Sequence, residues 1–183
     1  MFETLRDDVR TALAKDPAAT SVAAVVLTYP GVHAVWLYRL AHALWAGDHH
    51  FAARLLSHLA RLLTGVEIHP AADVGERLFV DHGMGTVVGE TAVIGDDVLL
   101  YHGVTLGGKS MRREKRHPTL EDGVTIGAAA TLVGPVTVGE NATVGAGAVV
   151  VDDVPPETTV VGNPAQPVDG DAPVAEPPAT ERV

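Results

Sequence analysis

Between residues 124 and 150 an aliphatic residue recurs every six positions: Ile126, Leu132, Val138, Val144 and Val150. A glycine follows it at 127, 139 and 145. The same beat is legible at Ile68, Val74 and Val80, and again at Val88, Ile94, Leu100 and Leu106. An α-helix repeats near about 3.6 residues and a flat strand near about 2, so neither accommodates this period. A short fixed repeat belongs to a solenoid in which coil stacks on coil. Three hexads complete one triangular coil, the aliphatic of each points inward, and the small residue after it lets the chain bend. The pattern predicts a parallel β-helix and places function in its seams and interruptions.

The sequence divides into three parts. Residues 1–65 form a predicted helical segment, with helices at about 2–15, 19–28, 32–46 and 49–64. The first ends at Lys15-Asp16-Pro17, because the residue before proline disfavours helix, and the second stops at Pro30-Gly31. The third places Val35, Leu37, Leu40, Ala41 and Leu44 near one face. Leu55, Leu56, Leu59, Leu62 and Leu63 supply the apolar side of the fourth, which Gly65 ends. These helices are expected to cover the open first coil, whose edge would otherwise be exposed. The β-helix domain spans 66–163. Beyond it, 164–183 is rich in proline and acidic residues and is expected to be a disordered tail.

Within the β-helix the beat breaks twice. Between Val80 and Val88 there are two extra residues, around His82-Gly83-Met84-Gly85. Between Leu106 and Ile126 the aliphatic pattern is lost, so a loop at about 107–123 should be extruded. Five of the thirteen basic residues crowd into it: Lys109, Arg112, Arg113, Lys115 and Arg116. Opened by Gly107-Gly108, such a loop suits a phosphate-bearing ligand. A solvated loop balancing Glu114, Glu121 and Asp122 is the plainer reading.

Composition narrows the function classes. The net charge of −10 argues against non-specific nucleic-acid binding. It is equally the mark of a high-salt cytoplasm or of an ordinary acidic enzyme. Cysteine is absent, which excludes disulfides and thiolate chemistry. The uncharged stretch 17–38 is broken by Pro30-Gly31, and a buried helical pair explains it better than a membrane span. No secretory signal opens the chain, so a cytoplasmic location is expected.

The stretch VEIHPAADVGERLFVDHGMGTVVGETAVIGDDVLLYHGVTLGGK, followed by RHP and IGAAATLVG, resembles serine O-acetyltransferase, of the hexapeptide-repeat acyltransferases. DHGMGTVVGETA and GVTLGGK are specific to that family, and YPGVHAVWLYRLAHALW resembles its helical segment. The resemblance runs from about Asp16 to Pro164. It implies a left-handed β-helix and transfer of acetyl from acetyl-CoA to the hydroxyl of L-serine, giving O-acetylserine for cysteine synthesis. His82 would be the general base, since a serine hydroxyl needs a neutral imidazole to take its proton. Glu67, where the family more often carries aspartate, would orient that imidazole. Asp16 and Asp81 would hold the ammonium of serine, and Arg116 and His117 its carboxylate. Gly107, Gly108 and Ala128 would line the cofactor groove, with the Gly108 amide a candidate oxyanion donor. Lys109, Arg112 and Arg113 would meet the phosphates of CoA. No metal is expected, and direct attack in a ternary complex needs no acyl-enzyme.

The resemblance also implies a homotrimer with sites at the seams, a hexamer being the alternative, and feedback inhibition by cysteine. It leaves open a complex with O-acetylserine sulfhydrylase through the C-terminus. Here the chain ends Glu181-Arg182-Val183 rather than in isoleucine, which weighs against that complex. Three rival readings remain. One is an acetyltransferase for another hydroxyl or amine acceptor. Another is a γ-type carbonic anhydrase drawing zinc ligands from His69, His82, His102 and His117. The last is a silent trimeric scaffold.

Overall fold

The computed structural model describes residues 2–168. Four helices open the chain: α1 (Phe2–Lys15), α2 (Val22–Thr28), α3 (Pro30–Ala46) and α4 (His50–Thr64). Ser21 caps α2 by accepting the Ala24 amide at 3.1 Å, which starts that helix three residues later than the sequence predicts. Pro30 does not merely stop α2. It is the first residue of α3, where a missing N–H costs nothing and a fixed φ favours helix. Gly65 closes α4 in a left-handed conformation (φ 74°).

Fifteen short strands follow in three sheets. Sheet I holds β1 (Glu67–Ile68), β4 (Val87–Val88), β7 (Thr105–Gly107), β10 (Thr131–Val133) and β13 (Val149–Val150). Sheet II holds β2 (Asp73–Val74), β5 (Val93–Ile94), β8 (Thr119–Leu120) and β11 (Thr137–Val138). Sheet III holds β3 (Phe79–Val80), β6 (Leu99–Leu100), β9 (Thr125–Ile126), β12 (Thr143–Val144), β14 (Thr159–Val161) and β15 (Gln166–Pro167). All pairs are parallel except β14 with β15. The three sheets are the faces of a left-handed prism, and each turn of chain visits I, II and III in order.

The beat is borne out, with a second inward position that the period alone did not reveal. Two residues before the aliphatic a second residue also points in, and at four positions within the coils it is alanine: Ala92 before Ile94, Ala130 before Leu132, Ala142 before Val144, Ala148 before Val150, all at most 1% exposed. Pairing bulky with small side chains fills a narrow prism without voids. The extruded loop is shorter than 107–123. Leu120 is buried and stands in register between Ile94 and Val138, so the solenoid resumes at β8 and only the residues between β7 and β8 leave it. The strand β15 extends ordered structure into the segment expected as tail; residues 169–183, with the C-terminus, lie outside the described residues.

The helices plug the first coil through specific hydrogen bonds. Its upward-facing carbonyls have no coil above them, and helix side chains supply the donors. Ser57 Oγ donates to Ile68 O (2.8 Å) and Tyr38 Oη to Ala72 O (2.6 Å). His42 Nδ1 meets Pro70 O at 2.9 Å, and Arg39 reaches Gly75 O. Gly31 of α3 lies so close to Val80 O that a Cβ there would sit 1.9 Å from it. The fourth helix turns its small residues, Ala53, Ser57, Ala60 and Thr64, onto the coil. Its leucines face outward instead: Leu55 is 50% exposed, Leu62 68% and Leu63 78%. Close approach to the coil end demands small side chains, so the apolar stripe faces away from its own fold. No helix among the described residues is long and apolar enough to cross a membrane.

Candidate active site

The first interruption of the beat lies on the edge between sheets III and I. The backbone ladder is in step on both sides of it, since Asp81 N donates to Leu100 O (2.8 Å) and Gly103 N to Met84 O (2.9 Å). The extra pair is therefore His82-Gly83. Both residues are left-handed, at φ 57° and 74°. Gly83 is buried where a Cβ would lie 2.7 Å from Val66 and 2.9 Å from Val80. His82 is thrown outward, its side chain 78% exposed.

Two carboxylates stand beside it. Asp81 Oδ1 lies 3.9 Å from His82 Nε2. Asp16, just after α1, is held from two directions: Oδ1 accepts the Ala18 amide (2.7 Å) and Oδ2 the Tyr29 hydroxyl (2.6 Å). The tyrosine bond, the amide bond and the nearby His82 together hold the Asp16 carboxyl below its usual range. The same bond, with burial and the charges of Asp16 and Asp81, pushes the Tyr29 hydroxyl up to about 12. Tyr29 was not singled out from the sequence, although it opens the YPGV element; nothing local marks a tyrosine as the partner of an aspartate thirteen positions away.

The second group lies on the edge between sheets I and II, at the base of the extruded loop. His117 is buried, and its Nδ1 accepts the Thr91 amide at 3.1 Å, which leaves the ring proton on Nε2. The Thr91 hydroxyl accepts the amides of both Arg116 (3.0 Å) and His117 (3.2 Å). Burial, then the Arg116 charge, hold His117 below the ordinary imidazole range, so the ring is neutral at pH 7. Arg116 donates to Glu90 Oε2 and, at 3.0 Å, to Arg112 O. Glu90 and Thr91, in the GETA element, carry this arrangement and were missed, because acceptor roles so far along the chain are set by coil stacking alone. Gly108 packs against the His117 ring.

The loop itself is tied at its neck, where Lys109 N donates to Arg116 O (3.3 Å), and by Lys115 Nζ on Thr91 O (2.7 Å). Gly107 ends β7 and accepts the Gly134 amide (3.0 Å). The side chains of Lys109, Arg112 and Arg113 are exposed and make no ion pair among the described residues. Glu67, on β1, accepts from Arg61 Nη1 at 3.0 Å and forms no hydrogen bond with His82 within the chain. Ala128 lies on the III–I edge, below His82, because Ala129 N donates to His102 O (2.8 Å).

The expected site residues thus fall on two edges. Asp16, Asp81, His82 and Ala128 share one; Arg116, His117, Gly107, Gly108 and the basic loop share the other. One prism face, roughly 15–20 Å of chain, separates them. The four histidines offered as zinc ligands split the same way: His82 and His102 are ring neighbours at 6.1 Å, while His69 and His117 belong to the other edge. Among the described residues, no group of three or more His, Cys, Asp or Glu is placed to hold a metal ion. One edge offers a base beside two anions. The other offers cations and a basic loop.

A hexad-built prism with an exposed base on one edge and a cationic loop on another defines a hexapeptide-repeat transferase. Residues 117–152 match the family described as bacterial transferase hexapeptide (six repeats). The chain is 53% identical over 166 residues to the serine acetyltransferase of Mycobacterium tuberculosis, covering 91% of this chain and 72% of that one. The structure of Neisseria gonorrhoeae serine acetyltransferase in complex with serine superposes with a TM-score of 0.89 at 42% identity, over 92% of this chain and 69% of that one. Serine acetyltransferase of Brucella abortus in complex with coenzyme A gives a TM-score of 0.89 at 41% identity, over 91% and 67%. The chain belongs to the serine acetyltransferase family.

Proposed function

We propose that this protein transfers acetyl from acetyl-CoA to the hydroxyl of L-serine, with His82 as the general base, and that the product feeds cysteine synthesis. The observation that carries the reading is the His82-Gly83 insertion, which lifts one imidazole out of the packed coil and sets it beside Asp81 and Asp16. Asp16 and Asp81 attract the ammonium of serine, placing its hydroxyl at the imidazole. Arg116 and His117 take the carboxylate. As the hydroxyl attacks the thioester carbon, its proton passes to His82 and the C–S bond then breaks. The serine and coenzyme A held by the two structural relatives support both substrates.

Because the anionic and cationic halves lie on different edges, a zwitterion touches both only where two protomers meet. A homotrimer, with the III–I edge of one copy against the I–II edge of the next, supplies that meeting. In such a seam Gly108 of one copy and Ala128 of the next flank a thin groove for the acyl arm, and Lys109, Arg112 and Arg113 stand free for its phosphates. Glu67 would orient His82 there by giving up its bond to Arg61.

The test is thiol release from acetyl-CoA with a panel of acceptors. L-serine is expected to be the preferred one, and His82→Ala to lower turnover roughly 10²- to 10⁴-fold. Preference for a sugar or an amine would replace the acceptor. A His82→Ala variant as fast as the parent would remove this base from the reaction.

A further inference from the structure

Directly beneath His82 the III–I edge carries a second imidazole that the reading above leaves unused. The ladder fixes the stack on this edge: Gly103 N donates to Met84 O (2.9 Å), Ala129 N to His102 O (2.8 Å) and Gly147 N to Ala128 O (2.8 Å). Successive coils therefore present Met84, His102, Ala128 and Ala146 at the same corner. The His82 and His102 rings lie edge to face, their centroids 6.1 Å apart and their planes at 73°. His102 is exposed, and its ring nitrogens make no hydrogen bond among the described residues. Below it the same corner carries two small side chains, Ala128 and then Ala146.

We propose that His102 is a further catalytic residue of the acetyl transfer, donating a ring N–H to the thioester sulfur as it departs. The inference rests on the acetyltransferase reading. An acyl arm lying over Ala146 and Ala128 brings its thioester to the corner where His102 sits, with His82 one step above to receive the acceptor hydroxyl. The two rings then stand on either side of the reacting carbon. The acceptor oxygen bonds to that carbon while its proton moves to His82. The tetrahedral species collapses, the C–S electron pair goes to sulfur, and the His102 N–H stabilises the thiolate until His82 returns the proton to it. His102 begins and ends neutral, so the step balances without another reactant. A hydrogen bond to a charged acceptor is stronger than one to a neutral partner, so the donor acts most where charge develops.

The experiment compares the full-length parent, His102→Ala and His102→Gln by thiol release with serine and acetyl-CoA. His102→Ala is expected to lower kcat roughly 10- to 100-fold while serine KM stays near the parent value. His102→Gln keeps an N–H donor and is expected to recover most of the rate, with the pH profile of the parent. An alanine variant with parental kcat, or a glutamine variant as slow as alanine, overturns the assignment while the parent remains active. A parent that releases no thiol with serine overturns the acetyltransferase reading itself.

Discussion

Gly89 decides where His117 can lie. A Cβ at that position would meet the imidazole at 2.0–2.1 Å, far inside contact distance, and the ring is already fixed by Thr91 and closed over by Gly108. The clash involves a side chain locked by its neighbours, so Gly89→Ala is expected to push His117 and the attached Arg116 out of place. The measurement is the Michaelis constant for serine, which should rise at least about tenfold while the folded content, read by circular dichroism, is kept. An unchanged constant would mean that His117 has no part in substrate binding. A second residue-scale consequence concerns pH. His69 accepts the Ala71 amide on Nδ1 (3.0 Å), and burial, with the Arg54 charge, brings its pKa down to about 4; His117 is lowered in the same sense. An unfolded histidine titrates near about 6.5. Between those values the unfolded chain binds protons that the folded one refuses, so stability is fully present above about 6.5 and falls as the pH drops towards 4. His69→Asn keeps an acceptor for Ala71 but does not titrate. Its melting temperature is expected to decline less steeply than the parent's across this window, and parallel slopes would refute the assignment.

At the level of the elements, α4 owes its position to small residues rather than leucines. Ser57→Ala removes the donor to Ile68 O and leaves a buried carbonyl unpaired, which is expected to cost about 1–3 kcal/mol in denaturant unfolding. A loss within error would show that solvent replaces the serine. This helix also shows what could be read in advance and what could not. Periodicity located α1, α3 and α4 within about two residues, and the six-residue beat identified the inward aliphatics, because period follows from backbone geometry alone. The same reasoning grouped the leucines of α4 as its apolar side, and in the structure Leu55, Leu59, Leu62 and Leu63 are exposed, since distance to the coil end outranks hydrophobicity there. Leu120 stands six residues before Ile126, on the beat counted backward, but fourteen after Leu106, so the loop puts it out of phase when the count runs forward. Among the candidate site residues, the exposed position of His82 was legible from the two-residue break, and its proposed role from the motif around it. Tyr29, Glu90 and Thr91 were not, because their contacts arise from stacking residues 13 to 26 positions apart.

For the whole molecule, the proposed trimer, with the site divided between the edges of two copies, would make activity a property of the assembly. A protomer lacking His82 still offers a sound cationic edge, and one lacking Arg116 still offers a sound base. If His82→Ala and Arg116→Ala chains are unfolded together and reassembled in equal amounts, about a quarter of the seams in a closed ring join two intact edges. Activity at low serine is expected to recover to about that fraction of the parent, whereas either variant alone stays near its own low value. Failure to recover, with mixed trimers demonstrated by sedimentation and mass spectrometry, would place both edges' duties in one chain.

The hydrogen bonds that Ser57, Tyr38, His42 and Arg39 make to the first coil have a consequence for colloidal behaviour. A bare end of a parallel prism is a ready template for another prism, and two such ends would join without limit. The helical plug caps that growth at one end, and the reversed strand β15 lies across sheet III at the other. A fragment starting at Val66 should therefore convert a discrete enzyme into filaments, with thioflavin fluorescence and light scattering rising together.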